Sequence, residues 1–301
     1  MFRSRVGAAV AAALMLAVSA SAASAQGSTT GSVFRDIETE NIFGFTEGAS
    51  IGAEGEKEIS LTTEARMGKG EGRYYASESK LGFEYTPNQY IQLEFGPFFS
   101  AHSISNVPDL DDRRQFGFGG FFGEIKTIVL ERNGNSPLAL ALSAEPNWRR
   151  LDETSGERVN NLELELKLQG DIELTAKRLY LGFNLLYEPE ATHDPDRIGA
   201  GWMQESKAGI SGSLAYRIVP NMTLGAEVWY LRHYDGAWLN TFTGDAVYVG
   251  PTVSIKVARQ VQLSAAWNTQ VTGREADNPD AKLNFSEFSR HRAKLKLAVE
   301  F

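Results

Sequence analysis

The chain contains no cysteine in 301 residues. That absence excludes a disulfide framework and thiolate metal sites. Histidine is nearly as scarce, with four in all. A His–Ser pair stands at His102-Ser103, but neighbours in a strand point to opposite faces. No third group is placed to orient such a base, so no nucleophile–base set emerges. The remaining histidines, His193, His233 and His291, fall in or beside polar links. Positive charge is also in short supply. The formal net charge of −8 makes nucleic acid a poor partner. Beyond residue 25 no apolar run approaches the length of a membrane-spanning helix. That leaves strands, which cross a bilayer with only about 9–11 alternating residues and escape hydropathy plots.

What is present begins with a leader. Arg3 and Arg5 precede an apolar stretch from Gly7 to Val18 and a small-residue site at Ala23-Ser24-Ala25. The pattern predicts a secretory signal peptide over residues 1–25. Residues 26–56 are expected to form a periplasmic N-terminal segment, part of which could enter a lumen. From 57 to 301 a signal of period 2 recurs. In residues 161–169, Leu162, Leu164, Leu166 and Leu168 share one face, and Glu163, Glu165, Lys167 and Gln169 the other. A helix would scatter these leucines around its axis, whereas a strand gathers them on one side. Comparable runs recur through Leu295, Leu297, Val299 and Phe301, giving about twelve strands.

The phase breaks once, in residues 114–131. Phe116 and Phe118 fall on even positions, Phe121, Ile125 and Val129 on odd ones. A bulge near Gly119-Gly120 would reconcile them. The same GFGG run leads into no helical pattern and is not read as a phosphate loop. Connections alternate between short (86–89, 133–136, 175–178, 219–222, 258–261) and longer polar ones (101–113, 149–160, 188–203, 232–245, 272–288). The expected fold is all-β: an up-and-down antiparallel transmembrane β-barrel with short periplasmic turns and long extracellular loops. A soluble sandwich or lipocalin-like barrel would also alternate. Two features favour the membrane form. The polar faces carry long or charged groups suited to an aqueous lumen. Aromatics also gather at strand ends, with Trp148, Tyr187 and Tyr230 toward the long loops and Tyr85, Tyr216 and Phe301 toward the short turns.

Residues 39–95, opening TENIFGFTEGASIGAEGEKEISL, and the segment SPLALALSAEPNWRR at 136–150 resemble an uncharacterised family of Gram-negative outer-membrane barrels. More distantly they are similar to outer-membrane barrels of aromatic-degradation pathways. Neither resemblance implies an activity or a catalytic residue.

A Lys or Arg facing lipid at mid-bilayer would cost roughly 2–4 kcal/mol, so charged positions within strands must face inward. The candidate pore-lining residues are Arg66, Lys80, Glu84, Glu94, Glu163, Glu165, Lys167, Lys207, Arg217, Glu227, Lys256, Arg290, Arg292, Lys294 and Lys296. Either they pair across the lumen and close it, or they line a pore and set its selectivity. The first reading is a porin-like channel for small polar or anionic solutes. The alternative is a non-conducting structural or surface-interaction barrel. An enzyme, a cofactor and a metal are not expected. The acidic loop stretches 109–112, 188–196 and 274–280 match no calcium-loop spacing. Leu297, Val299 and Phe301 resemble the closing signal read by barrel-assembly machinery. Expected partners are outer-membrane lipid, lipopolysaccharide, that machinery and small solutes, in the outer membrane of a Gram-negative cell.

Overall fold

The computed structural model describes residues 39–301 except 134–135, 197–198 and 200. The leader expected over residues 1–25 lies outside them. Twelve strands run in chain order: β1 (Lys57–Met67), β2 (Arg73–Asn88), β3 (Ile91–Ser105), β4 (Arg113–Leu130), β5 (Leu138–Leu151), β6 (Arg158–Thr175), β7 (Leu179–His193), β8 (Met203–Val219), β9 (Met222–Asp235), β10 (Thr241–Ala258), β11 (Val261–Glu275) and β12 (His291–Glu300). Each pairs antiparallel with its sequence neighbours, and β1 pairs with β12 to close the sheet into a barrel. Closure removes both free edges, so every strand finds its ladder partners within the wall. Among the described residues no helix is long and apolar enough to cross a membrane.

The wall is turned inside out relative to a soluble barrel. On β6, Leu162 is 53 % exposed while Glu163 beside it is 6 % exposed. The same alternation holds along the other strands. Phe95, Phe121, Leu142, Ile210, Val249 and Leu295 are exposed on the outside. Gln92, Lys126, Gln169, Asp171 and Asn268 are buried within. An apolar exterior around a polar interior is stable only against lipid. Outside the belt, the aromatic tips find polar partners. Trp148 Nε1 donates to Asn160 Oδ1 at 2.9 Å, and Tyr230 OH donates to Asp245 Oδ2 at 3.1 Å.

The stretch where the phase breaks lies in one continuous strand, β4, with a bulge in its pairing to β3 and a further register shift against β5 between Ile128 and Leu130. Phe118 pairs with Phe99, and Gly120 with Phe98, leaving Gly119 as the extra residue. Phe116, Phe118, Phe121 and Ile125 therefore all face outward. A Cβ on Gly120 would strike the Trp148 carbonyl oxygen, and its φ of +157° favours glycine.

The long connections are shorter than the sequence indicated, because the strands extend beyond the apolar belt. β9 and β10 run on through Arg232, Asp245 and their neighbours. There the outward face turns charged, with Arg274 Nε donating to Asp245 Oδ2 at 2.9 Å. Ladder hydrogen bonds persist where apolar alternation fails.

Candidate functional site: a plugged lumen

Residues Thr39–Glu56 thread the inside of the barrel. Phe43 joins Ile42, Tyr180 and Ala215 in a small apolar cluster. Phe45 meets Trp229 edge-on at 5.2 Å, with the Arg292 guanidinium 5.0 Å from the Phe45 ring centre. The segment forms no strand, so its backbone N–H groups need partners from the wall. Glu227 on β9 accepts from Phe45 N at 3.1 Å and Thr46 N at 3.0 Å. Asp171 on β6 accepts from Thr39 Oγ1 at 2.7 Å and Ala49 N at 2.8 Å. Asn184 accepts from Glu47 N at 2.8 Å, and Gln92 from Gly52 N at 2.9 Å. At Gly44 and Gly48 a Cβ would collide with wall atoms and with Thr39 respectively. Glycine lets the chain lie that close.

Two carboxylates of this plug meet lysines. Glu47 Oε2 lies 2.8 Å from Lys167 Nζ on β6, and its Oε1 lies 3.2 Å from Lys294 Nζ on β12. Glu40 lies 3.2 Å from Lys126 Nζ on β4. Burial raises the Glu47 pKa, but Lys167 and Lys294 outweigh it and hold the carboxyl well below 4.5.

From the opposite end the β5–β6 connection folds over the lumen. Glu153 reaches Arg66 on β1 at 2.7 Å and Lys207 on β8 at 3.0 Å. Tyr74 OH donates to Thr154 O at 3.1 Å. Burial pushes the Glu153 carboxyl up, but Arg66 and Lys207 prevail and leave it well below 4.5. The β11–β12 connection also turns inward. Tyr248 OH donates to Ser289 O at 2.5 Å, and Phe288 packs on Leu231 and Tyr248. Between the plug and these loops lies a cavity of about 180 Å³ bordered by Glu47, Glu153, Lys167, Lys207, Arg292 and Lys294.

The sequence-derived candidates fall at different depths. Arg66, Lys80, Glu94, Glu163, Glu165, Lys167, Lys207, Arg292, Lys294 and Lys296 border the cavity. Most have close partners. Lys80 binds Glu145, Glu163 binds Arg149 at 3.1 Å, and Lys296 lies 3.9 Å from Glu58. Glu165 lies 2.8 Å from Lys167, and Glu94 accepts from Ser60 Oγ at 2.6 Å. Glu84 is buried on the same inward face, while Glu227 grips the plug. Arg217 and Lys256 sit at the short-turn rim. There Arg217 Nε donates to Pro220 O at 2.9 Å, and Lys256 lies 3.7 Å from Glu300. Arg290 precedes β12 and is exposed at the opposite rim. On β12, Leu297 pairs with Leu61 and Val299 with Ile59, and the Phe301 amide donates to Lys57 O at 2.9 Å.

Periodicity alone missed Glu47, Glu153, Phe45 and Trp229. The first three lie in non-strand segments. Trp229 occupies an inward position where a polar residue was expected. One further group, Glu190, Glu205 and His233, brings metal-ligand atoms within 4.8 Å of one another. Lys207 stands 3.7 Å from Glu190, and His233 reaches Glu205 at 3.5 Å and Glu287 at 3.3 Å. These contacts already balance part of the negative charge.

A closed twelve-strand barrel with a lipid-facing apolar belt, aromatic rims and a charged interior is an integral outer-membrane β-barrel of the Gram-negative type. Within that class the chain belongs to a family of unknown function, DUF6662, whose profile matches residues 35–301. No curated protein matches it. Its fold is similar to that of the COG4313 outer membrane channel from Pseudomonas putida F1. The TM-score is 0.59 at 12 % identity, over 84 % of this chain and 98 % of that one. The NanC porin gives a TM-score of 0.47 at 8 % identity, over 80 % of this chain and 98 % of that one. The KdgM porin gives 0.45 at 10 %, over 81 % and 99 %.

Proposed function

We propose that the protein is a porin-like channel for small polar or anionic solutes, held closed at rest by residues 39–56. The observation that carries this reading is the way the plug is attached. From Phe45 to Ala49 its backbone is held by side chains of the wall, chiefly Glu227, Asp171 and Asn184, and its backbone bonds to the wall come at Gly55 and Glu56, which meet Thr86 of β2 just before β1 begins. The wall is complete without it. With the plug withdrawn, Lys126, Lys167 and Lys294 would each lose a carboxylate partner, and the lumen would gain positive character.

Twelve strands stand between the filled eight-strand barrels and the open sixteen-strand porins. A narrow passage for small solutes fits that width. The similarity in fold to a solved outer-membrane channel agrees with this. Residues 1–25 are proposed as the export signal, and Leu297, Val299 and Phe301 as the segment engaged by the barrel-assembly machinery. Lipid and lipopolysaccharide would surround the belt.

Conductance in a planar bilayer tests the channel. The full chain and a variant lacking residues 39–52 would be compared, with larger discrete current steps expected from the variant. If neither gives steps, the reading fails. The second reading, a non-conducting structural barrel, then stands. It is favoured by the close pairing of lumenal charges.

A further inference from the structure

The Glu47 carboxylate sits in a cradle built for that group. It receives Lys167 Nζ at 2.8 Å, Gln169 Nε2 at 2.9 Å and Lys294 Nζ at 3.2 Å. Gln169 is fully buried. The donors come from β6 and β12, far apart in sequence and in strand order, so they converge only across the lumen. Beside them the Phe45 ring lies 5.9 Å from Lys294 Nζ, and Trp229 closes the apolar flank.

Two features make this more than an ion pair of convenience. The cradle is supplied by the wall, which closes independently of the plug. Its occupant belongs to a segment outside the ladder. Lys167 keeps Glu165 at 2.8 Å and Lys294 keeps Glu64 at 3.7 Å, but the donors turned toward the plug lose their shared acceptor when Glu47 leaves. A carboxylate entering from solution would meet those same donors. Two ammonium groups and an amide NH2 match the acceptor geometry of a single carboxylate.

We infer that Lys167, Lys294 and Gln169 form the carboxylate-binding subsite of the channel, and that Glu47 occupies it as an internal stand-in for the solute. The solute class is then small organic acids. Their carboxylates compete with Glu47, so the solute helps to open its own path. This rests on the channel reading, and the two can fail separately.

Two experiments decide it. In the first, the full-length Glu47→Ala variant is folded into detergent and its unfolding followed by heat-dependent gel migration. Acetate should raise its unfolding temperature, while acetamide at equal concentration should not. Wild type, with its cradle filled, should respond to neither. Equal responses to acetate and acetamide, or no response to either, would overturn the subsite whether or not the barrel conducts. In the second, the variant lacking residues 39–52 is recorded in a bilayer with chloride as carrier and succinate added. Succinate should block the current, and Lys294→Gln or Lys167→Gln should each weaken that block by about tenfold or more, as loss of a hydrogen bond to a charged group implies. Current that succinate leaves unchanged, or blocks equally in the lysine variants, preserves the channel and removes the subsite. Absence of current removes the channel and leaves the acetate experiment to judge the cradle.

Discussion

At the level of single residues, the plug and the β5–β6 loop are each held by a carboxylate that stays ionised. Glu47 and Glu153 both have their pKa values depressed well below 4.5, despite burial that pushes the other way. A depressed folded-state value means that the stabilisation is complete above the unfolded value. It is lost as pH falls through the lower, folded one. The plug and the β5–β6 loop should therefore stay docked from about pH 8 to about pH 5 and loosen only in stronger acid. Limited proteolysis within residues 39–56 across a pH series checks this. Cleavage that rises between pH 8 and pH 6 would count against it. Glu47→Gln keeps the shape but not the charge. It should weaken plug docking by about 1.5–3 kcal/mol, the usual contribution of hydrogen bonds to charged groups, wherever Glu47 is ionised, and the difference should vanish in the strong acid that protonates wild type. Proteolysis of that variant at neutral pH, faster than wild type, is the expected result.

At the level of elements, the bulge in β4 gives the sharpest test of how the wall is specified. Deleting Gly119 removes the unpaired residue of the β3–β4 ladder and leaves Phe118 outward and Gly120 inward. That ladder becomes regular, so this variant should still form a heat-modifiable barrel. Deleting Gly123 instead, four residues on, turns over one half of the strand. Lys126 would then face lipid, at roughly 2–4 kcal/mol, and Ile125 would enter the lumen. Yield of folded barrel should collapse. Equal yields from the two deletions would mean that alternation does not fix this strand. The walls were legible in the sequence for the same reason: Leu162 through Leu168 alternate whatever lies across the barrel. The site was not. Glu47 and Glu153 belong to stretches without periodicity, and their partners are set by which strands face each other across the lumen. Arg290 stands directly before β12, its backbone still bonded to Gly68 O and Gln270 N, with its side chain exposed at the rim. β9, β10 and β11 looked shorter than they are because Arg232, Asp245 and Arg274 put charge on the outward face of their far ends.

At the level of the whole molecule, the question is how far the barrel depends on what fills it. The backbone ladders and the belt form a closed shell that contains neither the plug nor the loops. Removing residues 39–52 should leave that shell intact and still heat-modifiable. Stability should nevertheless fall, because the plug satisfies groups the wall cannot satisfy alone. Glu227 would lose two backbone donors and keep Asn268, 2.8 Å away. Asp171, fully buried, would lose Thr39 and the Ala49 amide and keep Arg132. A buried acceptor left unmet costs about 1–3 kcal/mol, more when it is charged. The unfolding temperature of the deletion variant should therefore drop. Adding Glu227→Gln to the deletion should recover part of the loss, since the amide removes a buried charge while retaining a contact to Asn268. In the full-length chain the same substitution should destabilise, because the carboxylate there has its donors. Opposite signs in the two backgrounds would show that Glu227 serves the plug. The same sign in both would make it a structural residue of the wall and weaken the case for a removable gate.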